Sequence, residues 1–375
     1  MAKNNSKIIA KVPNLRFPSF EGEWEEKKLG EICKMQAGKF ISASEIDEKF
    51  NDYLLPCYGG NGLRGYTKTY NYDGKYSLIG RQGALCGNIN LANGKFYATE
   101  HAVVVTSSND VDVDMMYYLL SYLNLNQYAT GAAQPGLSVQ NIEKVKTTIP
   151  TSKLEQNKIS SFLSLLDERI QTQSKIIEEL KLLKRTVKEK IFSRRLRFQD
   201  DEFSEWKNMQ LSNIGKFYAG GDLTKLEYKK EKSEKYIYPV YANGSGSGLY
   251  GYATSFQYPE NCVTVSGRGN LGFANARFEK FNAIVRLIVI IPNTDINPKY
   301  LEEAINNMKF SIESTGVPQL TVPQISKYSC LIPSLKEQIK IADCLSAIDK
   351  KIEIENNVLE QYERQKKYLL QNLFI

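Results

Sequence analysis

Short glycine-bearing stretches hold the side chains best suited to pairing with the edge of a nucleotide base. Arginine presents paired donors that match guanine, asparagine and glutamine match adenine, and serine or threonine accept several partners. In the first half of the chain such groups are Lys39, then Asn61, Arg64, Tyr66 and Lys68 in the loop Gly59 to Lys68, then Arg81 and Gln82, then Thr130, Gln134 and Ser138. In the second half they are Asn243, Ser245, Ser247 and Tyr250, then Arg268 and Asn270, then Thr315, Gln319 and Thr321. Arg81 and Arg268 stand out, in the loops Gly80-Arg81-Gln82-Gly83 and Gly267-Arg268-Gly269. Gly59, Gly83 and Gly269 fit tight turns equally well without a ligand, and the tyrosines fit a core.

Bond-making chemistry has no comparable footing. The chain has no G-x-x-x-x-G-K-[ST] phosphate loop, no Pro-Pro-aromatic motif and no F-x-G-x-G motif of an amino-methyltransferase. The run Asn243-Gly244-Ser245-Gly246-Ser247-Gly248 has no helix behind it to hold a phosphate, and reads as a flexible loop that lets backbone approach a ligand such as DNA. His101, the single histidine, has no Ser or Cys partner marked by spacing and reads as structural. Six scattered cysteines without a C-x-x-C pair leave no tetrahedral zinc site, and point to a reducing cytosol. The strongest apolar stretch, Ile284 to Ile291, is broken by Arg286 and closed by Pro292, which predicts a buried strand and no membrane span; the N-terminus lacks a secretion-type apolar run.

The elements that must position these groups come in duplicate, with a period of about 182 residues. Leu15-Arg16-Phe17 returns as Leu196-Arg197-Phe198, Trp24 as Trp206, Leu29 as Leu211, Ile32 as Ile214 and Gly38 as Gly220. Pro56-x-Tyr58 answers to Pro239-x-Tyr241, Gly65-Tyr66 to Gly251-Tyr252, and Gly83-x-Leu85 to Gly269-x-Leu271. Thr130-Gly131 with Leu137-Ser138 matches Thr315-Gly316 with Leu320-Thr321, and Ile149-Pro150 matches Ile332-Pro333. Between these landmarks, short β-branched and aromatic runs (Tyr76 to Ile79, Ala102 to Thr106, Cys262 to Val265, Ile284 to Ile291) predict mixed α/β domains with bent sheets, each with a helix near Met115 to Leu123 or Pro298 to Met308.

After each Ile-Pro a long helix is predicted. Ser152-x-x-Glu155 and Ser334-x-x-Glu337 are capping boxes, in which Ser bonds the third helical N–H while Glu reaches back to the cap. A heptad follows, with Ile159, Leu166, Leu180 and Val187 at its first position and Leu163, Ile170, Ile177 and Ile191 at its fourth. In the second copy Ile341, Ile348, Tyr362 and Leu369 take the first position, and Leu345, Ile352, Leu359 and Leu373 the fourth. The polar breaks repeat too, Gln173 with Glu355 and Lys184 with Lys366. A repeat of 3.5 residues is a coiled-coil seam. The globular unit between the helices dictates antiparallel packing, and the tail Asn372-Leu373-Phe374-Ile375, which aligns with Lys190 to Ser193, predicts that the chain ends lie close together.

The net charge of +7 is concentrated: residues 151 to 199 carry 12 basic and 6 acidic groups, whereas the globular segments are near neutral. Bulk charge therefore argues little for DNA. The cluster Lys188, Lys190, Arg194, Arg195 and Arg197 reads as a solvated helix end.

The paired Trp-x4-Leu-x2-Ile starts, the Gly-Arg loops, and the ordered Ile-Pro, Glu-Gln and Asp-x-x-Ile elements at 149, 155 to 156 and 167 to 170, repeated at 332, 337 to 338 and 349 to 352, carry a resemblance. From about Leu15 to Ile375 the chain resembles the specificity subunit of type I restriction-modification systems. The resemblance implies an α+β protein with two duplicated mixed α/β target-recognition domains (residues 1–150 and 198–332), joined by two long helices (151–197 and 333–375) that form an antiparallel coiled coil with pseudo-twofold symmetry. It further implies a non-catalytic protein that reads a bipartite, asymmetric site on double-stranded DNA, binds two modification methyltransferase subunits and, through them, motor-nuclease restriction subunits. S-adenosylmethionine, ATP and Mg2+ would belong to those partners, and the target adenine would be flipped by one of them. A coiled-coil adaptor with protein- or glycan-binding ends is the competing reading; the absence of methyltransferase and nuclease motifs disfavours a self-sufficient restriction enzyme.

Overall fold

The computed structural model describes residues 11–83, 85–131, 135–198, 205–222, 228–244, 246–310 and 318–375. The chain divides into two compact units, residues 1–175 with 357–375 and residues 176–356, so each unit takes part of both long helices.

The first unit contains β1 (Glu25–Lys28), β2 (Cys33–Ala37), β3 (Leu55–Gly59), β4 (Gly62–Thr67), β5 (Tyr72–Asp73), β6 (Tyr76–Gly80), β7 (Ile89–Ala92), β8 (Lys95–Ala98), β9 (Ala102–Ser107), helix α1 (Val113–Tyr122) and β10 (Lys146–Ile149). Its main sheet has the order β2-β9-β6-β7, antiparallel throughout, and a second sheet has the order β4-β3-β8-β5. Helix α2 (Lys153–Phe192) follows.

The second unit contains β11 (Lys207–Gln210), β12 (Gly215–Ala219), β13 (Tyr228–Lys229), β14 (Tyr238–Tyr241), β15 (Leu249–Ala253), β16 (Cys262–Val265), β17 (Ala274–Arg277), β18 (Asn282–Ala283), β19 (Ile288–Pro292), helix α3 (Pro298–Ile305), β20 (Ser329–Ile332) and helix α4 (Leu335–Leu373). Its main sheet, β12-β19-β16-β17, repeats that of the first unit strand for strand. The other sheet does not: β13 adds beside β15, whereas β5 adds beside β8. Duplication thus holds in the framework and lapses where the loops are borne.

The predicted strand from Ile284 is corrected. The chain turns at Ile284–Leu287 with Val285 and Arg286 both in the left-handed region (φ 54° and 58°), and β19 begins only at Ile288. Main-chain bonds from Val285 N to Gly221 O and from Arg286 N to Gly220 O hold the turn, so Arg286 points out of the core and does not interrupt a strand.

All sixteen heptad residues are buried or half-buried. In the first unit Ile159, Leu163 and Leu166 of α2 share one core with Leu369 and Leu373 of α4; in the second, Ile191 shares one with Ile341 and Leu345. Early residues of one helix meet late residues of the other in both units, which is antiparallel pairing. The repeated lysine breaks are ion-pair positions: Lys366 Nζ lies 2.5 Å from Asp167 Oδ1, and Lys184 Nζ lies 2.7 Å from Asp349 Oδ2.

The capping-box reading is half right. Ser152 Oγ and Ser334 Oγ accept from the Glu155 and Glu337 amides at 3.5 and 3.3 Å. The carboxylates do not reach back to the cap. Glu155 accepts from Arg16 Nε (2.7 Å), Arg16 Nη2 (2.8 Å) and Trp24 Nε1 (3.2 Å). Glu337 accepts from Arg197 Nε (2.7 Å), Arg197 Nη2 (2.8 Å) and Trp206 Nε1 (3.0 Å). A forked guanidinium and an indole outcompete one neutral amide for a buried carboxylate. The following glutamines staple the loop before α1 or α3: Gln156 donates to Pro150 O and accepts from Asp112 N, and Gln338 donates to Pro333 O and accepts from Asn297 N. The segment ahead of Trp24 also closes on the C-terminal helix, since Leu15 N donates to Asn372 O at 2.8 Å just as Leu196 N donates to Lys190 O at 3.0 Å. The described ends therefore meet, as the cyclic alignment predicts.

The basic cluster is partly internal. Lys188 and Lys184 each lie 2.9 Å from the Glu303 carboxylate on α3, which is 2% exposed, and Arg197 is held by Glu337. Burial would raise the Glu303 pKa, but Lys188 and Lys184 outweigh it and hold it below the ordinary 4.5. A depressed carboxylate adds stability that is complete above its unfolded value and is lost as pH falls through its folded one. Melting of the full chain followed from pH 7 to about 3 should therefore show acid destabilisation of the second unit, with a shallower slope and a lower starting point for Glu303→Gln. Parallel curves for the two proteins would count against the network.

Candidate nucleic-acid interface

In the first unit the three loops singled out by sequence meet at one end of the main sheet. Gly80 closes β6 against the backbone of Gly60: a Cβ on Gly80 would stand 2.0 Å from Gly60 O, so only glycine lets the two chains cross. Arg81 N donates to His101 O, Arg81 O accepts from Leu137 N, and Gly83 N donates to Pro135 O. Gly136 forms bridges with both Gln82 and Thr130. Lys39, Asn61, Arg64, Lys68, Gln82 and Thr130 are exposed; Tyr66, Arg81 and Ser138 are half-buried. Tyr66 packs edge-on against Phe50.

The second unit repeats the junction. Gly267 O accepts from Leu320 N, Gly267 N donates to Asn243 Oδ1 at 2.7 Å, and Ser266 Oγ donates to Arg268 O at 2.8 Å. Arg268 Nη2 reaches Gln319 Oε1 at 3.5 Å. Arg277, buried over the Tyr241 ring, donates to Ser247 O and so anchors the glycine-rich loop from below. Ser247, Tyr250, Arg268 and Asn270 are exposed, and the Tyr250 hydroxyl lies 3.2 Å from that of Tyr228. Gln134, Ser245 and Thr315 lie outside the described residues.

Two candidates have other duties. Asn243 spends its amide inside the protein, accepting from Gly267 N and donating to Val285 O, and so ties two loops together. Thr321 caps the helical turn Val322–Ile325 in a capping box with Gln324, its hydroxyl 2.8 Å from Gln324 Oε1.

The repeat that matches Gly83-x-Leu85 with Gly269-x-Leu271 sets Gln82, not Arg81, opposite Arg268, and the strand ladders give the same register. Ile79 faces Val103 in the β6–β9 ladder, and Val265 faces Ile288 in the β16–β19 ladder. Since Val103 and Ile288 sit opposite Ala37 and Ala219, at the same place in the repeat, Ile79 corresponds to Val265. Gly80 then matches Ser266, Arg81 matches Gly267, and Gln82 matches Arg268. The bonds Leu137 N to Arg81 O and Leu320 N to Gly267 O require the same register.

Sequence reasoning missed the turn beneath each junction. Thr99–Ala102 in the first unit and Ile284–Leu287 in the second present Glu100-His101 and Val285-Arg286. His101 Nε2 lies 3.2 Å from Glu100 Oε1, and Arg286 is exposed. The only sequence signal was a charge in an otherwise apolar run.

Among the described residues no group of three or more His, Cys, Asp or Glu side chains could hold a metal ion, and no helix is long and apolar enough to cross a membrane. All six cysteines are free thiols. Each junction gathers exposed hydrogen-bond donors at one end of its main sheet, an arrangement able to hold a ligand.

The family model described as the type I restriction modification DNA specificity domain matches twice, at residues 21–182 and 203–364. The specificity subunit of the Escherichia coli type I restriction enzyme EcoprrI is 51% identical over 138 residues, 36% of this chain and 34% of that protein. A putative type I specificity subunit of Mycoplasma pneumoniae is 28% identical over 354 residues, 90% of this chain and 95% of its own length. The crystal structure of a type I restriction-modification S subunit from M. genitalium superposes with a TM-score of 0.69 at 19% identity, covering 97% of this chain and 99% of that one.

Proposed function

The chain belongs to the type I restriction modification DNA specificity family, and from that premise we propose that it reads a bipartite, asymmetric sequence on double-stranded DNA, one half-site per unit, without catalysing a reaction itself. The observation that carries this reading is the coincidence of two matches to the DNA specificity domain with two units that repeat one framework but differ in the loops at its end. Unequal loops read unequal half-sites, so the whole target is not a palindrome. Exposed Lys39, Arg64, Lys68 and Arg286 supply phosphate contacts beside the base readers.

Two modification methyltransferase subunits dock on the long helices, in this proposal, and bring restriction subunits with them in the cytosol. Leu154, Phe162 and Leu165 in the first unit, and Leu182, Leu183, Ile339 and Ile354 in the second, are apolar and exposed on α2 and α4, away from the seam. S-adenosylmethionine, ATP and Mg2+ are assigned to those partners.

The test is binding of the full-length chain, alone and with its modification partner, to a library of duplexes with two randomised segments, at several salt concentrations. About four phosphate contacts give a slope near −3.6 and roughly a hundredfold loss of affinity between ~50 and ~200 mM salt. Enrichment of two separated, unequal sequences supports the reading. Salt-independent binding, or none, favours the adaptor reading.

A further inference from the structure

We propose that Gln82 and Arg268 occupy the same reading position in the two units, and that they read different bases there: adenine for Gln82 and guanine for Arg268. The inference rests on the DNA-reading function proposed above and adds the chemistry of one position to it. Strand register places both residues three positions after the paired residues Ile79 and Val265. The residue just before each is fixed by the same bond, from Leu137 N to Arg81 O and from Leu320 N to Gly267 O. Both side chains are exposed. Each is followed by a glycine of positive φ, Gly83 at 89° and Gly269 at 71°, where an added Cβ would meet no atom within 4 Å. The tip of the loop is thus open on both units, and its backbone admits close approach of something large.

Position and chemistry then combine. A glutamine amide donates to N7 and accepts from N6 of adenine, whereas a guanidinium donates to both O6 and N7 of guanine. In the second unit the Arg268 fork leans toward Gln319, whose counterpart in the first unit is Gly136, the bridge partner of Gln82. Arg268 has a side chain to steady it, and Gln82 has the backbone. Arg81, half-buried with its main chain committed on both sides, is left out of the reading position.

The experiment exchanges the two. Full-length wild type, Gln82→Arg, Arg268→Gln and Gln82→Ala are presented with the randomised duplex library, with the modification partner present, and bound duplexes are sequenced. The expected result for Gln82→Arg is replacement of one A·T pair by G·C in one half-site, with a discrimination of roughly ten- to a hundredfold, while the other half-site is unchanged. Arg268→Gln makes the reciprocal change in the other half-site, and Gln82→Ala removes the preference without creating a new one. Melting curves matching wild type are expected, because both side chains are exposed. Unchanged targets overturn the proposal, as does uniform weakening at all sequences with a smaller salt slope, which marks phosphate contacts. A wild type that enriches no sequence overturns the DNA-reading function itself, an outcome distinct from the other two.

Discussion

Glu155→Ala is expected to lower the stability of the first unit by about 3 kcal/mol, and its melting temperature by roughly 6–12 °C. The carboxylate is 3% exposed and Arg16 is 16% exposed, so the substitution strands a guanidinium that water reaches only in part. It also leaves the Trp24 indole N–H without its acceptor. The cost of breaking such a pair is mainly that of the orphaned charge. Glu155→Gln keeps an acceptor for both donors and should lose less. The chain has two tryptophans, one at each clasp, so a Trp206→Phe background lets Trp24 fluorescence report the first unit alone. Glu337→Ala in the complementary Trp24→Phe background should lower the Trp206 transition in the same way. A fall of under about 1 kcal/mol in either would place these pairs among ordinary surface ion pairs.

The clasp shows what the sequence discloses and what it hides. The duplication, both long helices, the seam and the closing of the segment around Leu15 on the end of α4 were legible because each leaves a periodic or repeated trace. Arg16, Trp24 and Glu155 were each visible as repeated landmarks, yet their contact was not, because Ser-x-x-Glu at a helix start already has a local explanation. A local pattern cannot show that a distant arginine competes for the same carboxylate. The Gly-Arg loops were legible in register but not in role. The repeat step from Gly83 to Gly269 already sets Gln82 opposite Arg268, and the bonded strands hold that register, but only the structure shows that Arg81 is half-buried while Gln82 and Arg268 are exposed. Asn243 and Thr321 have the right chemistry for base reading, but their polar atoms are already occupied by loop and cap. Exposure and free donors separate reading groups from supporting ones, and neither is written in residue type.

The spacing between the half-sites should follow the length of the helices. Helix α2 has 40 residues and α4 has 39, and each runs from one compact unit into the other. Four residues inserted into α2 after Lys175, and four into α4 after Asn356, lengthen each helix by ~6 Å, close to two base pairs at ~3.4 Å each. The preferred spacer should grow by one or two base pairs, and affinity for the original target should fall by at least about a hundredfold, since one half-site is lost. Seven residues in each helix, a full heptad, restore the seam phase and should add about three base pairs. The two increments together separate a stiff rod from a tether: a flexible connection would accept a range of spacers and broaden it with each insertion, whereas paired helices shift a narrow preference in proportion to the residues added. Sequencing the duplexes selected by each variant reads both the mean spacer and its spread, and a mean that stays at the wild-type value would remove the helices from any role in setting the distance.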